Sequence, residues 1–174
     1  MRYYFSGLLI LVFSFFARGQ QWKNFKDSAG RFTARYPASW VNKTKEGNRV
    51  FFTSPVDNAA DQFYENININ ITRKEGYGTA VKIKDLFPTV TNSIKKEFLE
   101  FKEESLRYFK WNNSDAAELI YSGYSKLDSS IKIRTTQWYC FNNSRLYMAT
   151  FVAAAGNNLH NGTARKIMSS IVFK

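Results

Sequence analysis

The chain has 174 residues, 44% of them hydrophobic and 17% aromatic, which is enough for one domain with a real core and too few for two to be expected. Its formal net charge is +11, but Lys and Arg come in ones and twos, with no block longer than Lys95-Lys96, so a basic nucleic-acid-binding tract is excluded. One His and one Cys exclude a closed zinc site of the usual kind within one chain.

Residues 1–19 read as a secretory signal peptide. Arg2 opens it, Tyr3 to Phe16 is largely apolar, and Ala17-Arg18-Gly19 sets small residues at the cleavage positions before Gln20. The apolar run is shorter than the roughly 20 residues of a membrane span. No transmembrane segment is therefore expected after cleavage. Cleavage also removes Arg2 and Arg18 and no acid, leaving +9 on an exported, periplasmic or extracellular domain spanning residues 20–174. Nucleic acid is not an expected partner there. An acidic protein face or an anionic envelope component is.

Residues 20–26 form a polar-aromatic lead-in. In GRFTARYPASWV, Phe32, Ala34 and Tyr36 alternate with Thr33 and Arg35, and Pro37 ends the run, so an edge strand with a terminal turn is expected. Glu46-Gly47-Asn48 reads as a turn into a partner strand at Arg49 to Thr53. SPVDNAADQFYENININIT follows. Its second half is the cleanest strand, with Ile67, Ile69 and Ile71 on one face and Asn66, Asn68 and Asn70 on the other. Its first half gathers Asp57, Asn58, Asp61, Glu65 and Asn66, oxygen donors of the kind calcium takes. The spacing is not that of an EF-hand. Turn hydrogen bonds from Asp57, a cap from Asp61 and a lysine partner for Glu65 account for the same residues.

Beyond Gly76 and Gly78 the period changes. Leu86, Val90, Ile94, Phe98 and Phe101 share one helical face, with Asp85 as cap and Pro88 in the first turn. Strands around Ser105 to Lys110, Ala117 to Ser125, Ile131 to Phe141 and Arg145 to Ala154 then alternate with polar turns, as in a meander of antiparallel hairpins. A closing helix within Asn158 to Ser169 precedes Ile171-Val172-Phe173. Together these elements predict an α+β fold, a central antiparallel β-sheet flanked by helices in an αβα sandwich.

Catalytic signals are few. His160 lies in a turn-rich context, Cys140 lies inside a strand, no serine sits in GxSxG, and no glycine-rich phosphate loop occurs. The acids Asp57, Asp61, Glu65, Asp85, Glu103, Glu104, Asp115, Glu118 and Asp128 would suffice for a carboxylate pair, but the sequence does not set any two face to face. Trp40, Phe51, Trp138 and Tyr147 are assigned to the core. Trp22, Phe25, Tyr77 and Trp111 are expected at the surface as contact residues.

GRFTARYPASWV, then FFTSP, then D-x-F-x-E-N-I-N-I, resembles the bacterial PsbP-like proteins of the Mog1/PsbP-like fold. The A-E-L-I-Y-S-G strand at Ala117 to Gly123, Gln137-Trp138, R-L-Y-M-A-T-F at Arg145 to Phe151 and the closing S-I-V-F extend the resemblance over about Asp27 to Phe173. Ser114-Asp115 departs from it, standing where many relatives have a Gly in the turn. The resemblance implies a sheet with helices on its faces and members that bind rather than catalyse: a photosystem II subunit associated with calcium retention, a nuclear-transport factor that binds a small GTPase, and secretion chaperones. Fold alone does not fix activity.

The chain is therefore expected to be an exported, non-catalytic binding or accessory module of the cell envelope. Asn66, Trp111, Lys132 and Arg134 are the candidate contact residues for a protein or anionic partner. No cofactor is expected. Two alternatives stay open: a calcium-dependent module using Asp57, Asp61 and Glu65, and a carboxylate-pair hydrolase.

Overall fold

Alternating side chains dominate this chain, and strands dominate its fold. The computed structural model describes residues 20–45, 49–56, 58, 63–73, 75–76, 78 and 80–174. The expected signal peptide, the Glu46-Gly47-Asn48 turn, Asp57, Asp61 and Tyr77 lie outside them.

The strands are β1 (Trp22–Lys26), β2 (Phe32–Pro37), β3 (Val41–Lys45), β4 (Arg49–Thr53), β5 (Asn66–Arg73), β6 (Phe98–Trp111), β7 (Ser114–Ser125), β8 (Asp128–Asn142), β9 (Arg145–Ala154) and β10 (Val172–Phe173). The helices are α1 (Phe87–Glu97) and α2 (Asn161–Ser169). A seven-stranded sheet runs β3-β4-β5-β9-β8-β7-β6, and a three-stranded sheet runs β1-β2-β10. Every strand pair is antiparallel.

The large sheet separates two apolar layers. One face carries Phe52, Ile67, Phe151 and Trp138 under the small sheet and α2, which contributes the buried Ala164, Ile167 and Met168. The other carries Leu119, Tyr121, Tyr139 and Phe141 under α1, through Phe87, Val90 and Ile94. The fold is thus more β-rich than the expected helix-flanked sandwich. The longer helix has eleven residues, about 16 Å of rise, too little to cover seven strands. A second sheet covers part of one face instead.

The two-residue turns explain how the long hairpins close. Asn112 and Asn113 join β6 to β7, and Asn143 and Ser144 join β8 to β9, all four with positive φ. That backbone matches the twist of the flanking strands, and Asn tolerates it better than most residues. The turn with Ser114-Asp115 in place of a Gly therefore takes its left-handed residues from Asn112 and Asn113.

Several expected boundaries move. The lead-in forms β1, and its pairing with β2 leaves β2 between β1 and β10 instead of at an edge. Helix α1 stops at Glu97, and Phe98 is already extended, so Phe98 and Phe101 belong to β6. Asp85 caps no α-helix; its Oδ2 accepts the Lys82 N–H in the short 3-10 turn Ile83–Leu86. Phe52, not Phe51, is fully buried in β4, and Lys45 lies over the half-buried Phe51 ring.

Candidate binding face

Strand β7 puts a carboxylate where the surrounding pattern is apolar. Ala116, Glu118 and Ile120 share one face of β7, and Glu118 is 1% exposed. A buried carboxylate is costly unless it is paired and hydrogen-bonded. The ladder supplies partners on both sides, since Glu118 stands opposite Arg107 on β6 and Trp138 on β8.

Three donors converge on it. Arg107 Nε donates to Glu118 Oε1 at 2.6 Å, Trp138 Nε1 to Oε2 at 2.6 Å, and Arg165 Nη1 to Oε2 at 2.7 Å. Arg165 comes from α2, where Ala164, Ile167 and Met168 face the core and fix the helix rotation. Burial pushes the Glu118 carboxyl pKa up, and the hydrogen bonds from Arg107, Arg165 and Trp138 outweigh burial and hold it below the usual range. The carboxylate stays charged and holds the two guanidinium groups in place.

Those guanidinium groups reach the surface. The Arg107 and Arg165 side chains are 49% and 43% exposed, and Arg107 also lies 5.1 Å over the Phe109 ring. Between them opens a cavity of about 360 Å³ over Trp111 and Trp138; among the described residues its charged lining is Arg107, Lys110 and Arg165. Each arginine directs one N–H at Glu118, and a guanidinium has five. The remaining donors suit a carboxylate or phosphate oxygen. On its other side Arg165 borders a second cavity of about 350 Å³, with Arg134, Asn158 and Asn161.

The residues expected from sequence scatter around this node. Lys132 and Arg134 lie on β8, each already paired with a β6 acid, at 3.1 Å to Glu100 and 2.8 Å to Glu104. Trp111 is not a surface contact: it is 3% exposed and donates Nε1–H to the Met168 carbonyl at 3.1 Å. Trp22 and Phe25 pack, half-buried, against the core. Asn66 is half-buried in β5, its amide donating to the Tyr64 carbonyl at 3.3 Å. Glu65 is 1% exposed, and its oxygens accept from Ser54 Oγ at 3.1 Å and Asn157 Nδ2 at 2.6 Å, not from a lysine. No cluster of three or more His, Cys, Asp or Glu able to hold a metal occurs among the described residues.

Two candidate nucleophile or base groups lie elsewhere. The His160 ring is set edge-on to Trp40 at 5.6 Å. Cys140 is buried, and burial pushes its thiol up to about 12, well away from a reactive thiolate. No local pattern in the sequence marks Arg107 or Arg165. The signal that reaches them is Glu118 itself, an acid inside Ala-Ala-Glu-Leu-Ile-Tyr that demands cationic partners.

No protein-family model matches the chain, and no curated protein matches it in sequence. Solved structures do match. Cyanobacterial PsbP (CyanoP) from Synechocystis superposes with TM-score 0.60 at 12% identity, over 88% of this chain and 92% of that one. The fold is PsbP/Mog1-like. The Ran-binding protein Mog1p of Saccharomyces cerevisiae gives TM-score 0.60 at 5% identity, over 88% and 96%. LpqN of Mycobacterium tuberculosis, described as involved in cell envelope biogenesis, gives 0.60 at 10% identity, over 88% and 92%. A Bacteroides thetaiotaomicron structure matches 87% of this chain at TM-score 0.58 and 15% identity, and the chain spans about half of it, 48%. Among the described residues, no helix of this PsbP/Mog1-like chain is long and apolar enough to cross a membrane.

Proposed function

We propose that this PsbP/Mog1-like chain is an exported, non-catalytic accessory module of the cell envelope that docks an acidic group of a partner protein against Arg107 and Arg165. One observation carries the reading: two half-exposed guanidinium groups are fixed on one buried carboxylate and border a common cavity, with donors left over for an anion. Such preorganisation lowers the ordering cost of binding an anion. Export rests on the residue pattern before Gln20. The accessory role is supported by structural neighbours described as a Ran-binding protein and as a cell envelope biogenesis protein.

The test uses the chain from Gln20 as bait for envelope proteins, beside the R107A/R165A variant. The expected result is a partner retained at low salt, released as ionic strength rises, and lost with the double variant, which melts below wild type but is folded at the assay temperature by circular dichroism. A partner held equally by both proteins would place the contact elsewhere.

A further inference from the structure

A further cavity shares Phe109 and Lys110 of β6 with the one between Arg107 and Arg165, but is otherwise lined by the 3-10 turn, the start of β7 and the end of β8. It encloses about 740 Å³, twice the volume of either cavity beside Arg165, and falls within the range of about 300–1,000 Å³ usual for small-molecule sites. Its floor is apolar: Ile83 from the 3-10 turn, Phe141 from β8 and Ala116 from β7 are all buried, and Tyr108 and Phe109 of β6 form a side. Part of the wall is bare backbone. Gly78 has a φ of +83°, and a Cβ there would stand 3.2 Å from the Phe141 Cβ, so a side chain would crowd this wall.

Charge sits at the rim. Among the described residues, Lys82, Lys84 and Lys110 line the cavity, with Asp115 the one lining carboxylate. Lys110 Nζ lies 2.7 Å from Asp115 Oδ1, so that pair is close to neutral. Lys82 and Lys84 have no ion-pair partner among the described residues. The Asp85 carboxylate accepts the Lys82 N–H at 3.0 Å, so with Asp85 and Asp115 set against the three lysines the mouth carries an excess of about one positive charge over an apolar floor.

The geometry points to a binding site for a single-chain anionic amphiphile of the fatty-acid type, its tail on Ile83, Tyr108 and Phe141 and its carboxylate at Lys82 and Lys84. Charge complementarity and cavity size select this occupant together. A neutral apolar ligand would leave the lysine rim without a role. An acidic side chain of a partner would meet the rim but leave most of the cavity empty.

Dansyl-labelled undecanoic acid is the probe, titrated into the chain from Gln20 below the probe's micellar concentration. Saturable one-to-one fluorescence enhancement is expected, reversed by oleate and not by oleyl alcohol. K82E/K84E, at two exposed positions, should weaken binding at least tenfold with the melting temperature unchanged. R107A/R165A should leave probe affinity unchanged, which separates this site from the proposed docking contact. The proposal is overturned by non-saturable enhancement, by equal displacement with the alcohol, by wild-type affinity in K82E/K84E, or by binding confined to anionic phospholipid vesicles.

Discussion

Arg165 on α2 places Nη1 2.7 Å from Oε2 of Glu118, a residue in the middle of β7. This contact ties the closing helix to the large sheet through a charge, while Ala164, Ile167 and Met168 tie it through apolar packing. The same residue serves fold and surface, because the part of Arg165 that does not face Glu118 faces solvent.

Removing that carboxylate should cost more than removing either arginine. Glu118→Ala leaves Trp138 Nε1 without its acceptor and two cations without their counter-charge. A fully buried pair broken this way loses about 3–5 kcal/mol. With both guanidinium groups near half exposure, solvent screening reduces the expected loss to about 2–3 kcal/mol. Arg165→Ala leaves Glu118 bonded to Arg107 and Trp138 and should lose about 1–2 kcal/mol. Urea midpoints at constant m-value measure both; an Arg165→Ala loss equal to the Glu118→Ala loss contradicts the shared-anchor account.

The pH dependence follows from two depressed carboxyls. Arg31 hydrogen-bonds Asp27 through its side chain at 2.7 and 2.6 Å and, against the opposing effect of burial, holds its carboxyl below the usual value. For Glu118 burial is the largest single effect and raises the carboxyl, but its three donors together outweigh it and hold the carboxyl low. In both cases the unfolded chain takes up the proton first as pH falls, so the stabilisation is present above the unfolded values, about 4. It is lost as pH falls through the lower folded values. Stability should be flat from pH 7 to about 5 and drop below 4, and the D27N/E118Q variant should show a shallower acid drop. An equal drop in wild type and variant would assign acid sensitivity to other groups.

A glycine in β7 makes a sharper prediction. Gly123 stands beside the irregular start of β6, where the β6–β7 register shifts between Leu99 and Lys102 and Glu100 has a φ of +50°. A Cβ at position 123 would lie 2.8 Å from the Leu99 carbonyl oxygen and 3.2 Å from Phe98 Cδ1. The first neighbour is backbone and cannot swing aside. Gly123→Ala should therefore destabilise by about 1–3 kcal/mol, read from thermal or urea unfolding. A neutral result would mean that the bulge relaxes freely.

The sequence revealed most where side-chain alternation was complete. The Asn-Ile run became β5, and the Asn-rich segments became the hairpin turns, because period two and left-handed tolerance are local properties. Boundaries failed where two elements serve one core. Phe98 and Phe101 continue the spacing of Leu86, Val90 and Ile94 because β6 packs them into the same cluster as α1. Strand β1 was obscured because only Trp22 and Phe25 are half-buried, three residues apart, with polar positions between. The binding face was legible only through Glu118, since Arg107 and Arg165 meet it through strand register and helix docking, which no local pattern records.

The DQFYEN stretch ends in a buried anchor that can be measured. Glu65 joins the β4–β5 connection to the β9–α2 connection, since Ser54 Oγ and Asn157 Nδ2 both donate to its carboxylate and the Ser54 N–H donates to its backbone carbonyl at 2.9 Å. Asn157→Ala leaves one oxygen of a 1%-exposed carboxylate without that donor. The expected cost is about 1–3 kcal/mol, and Ser54→Ala should cost less, because its 3.1 Å bond is longer than the 2.6 Å bond from Asn157. In a double-mutant cycle, Glu65→Gln and Asn157→Ala should couple by at least about 0.5 kcal/mol. Additive effects would mean that the two loops are held together by packing alone, and that Glu65 contributes only its backbone to the fold.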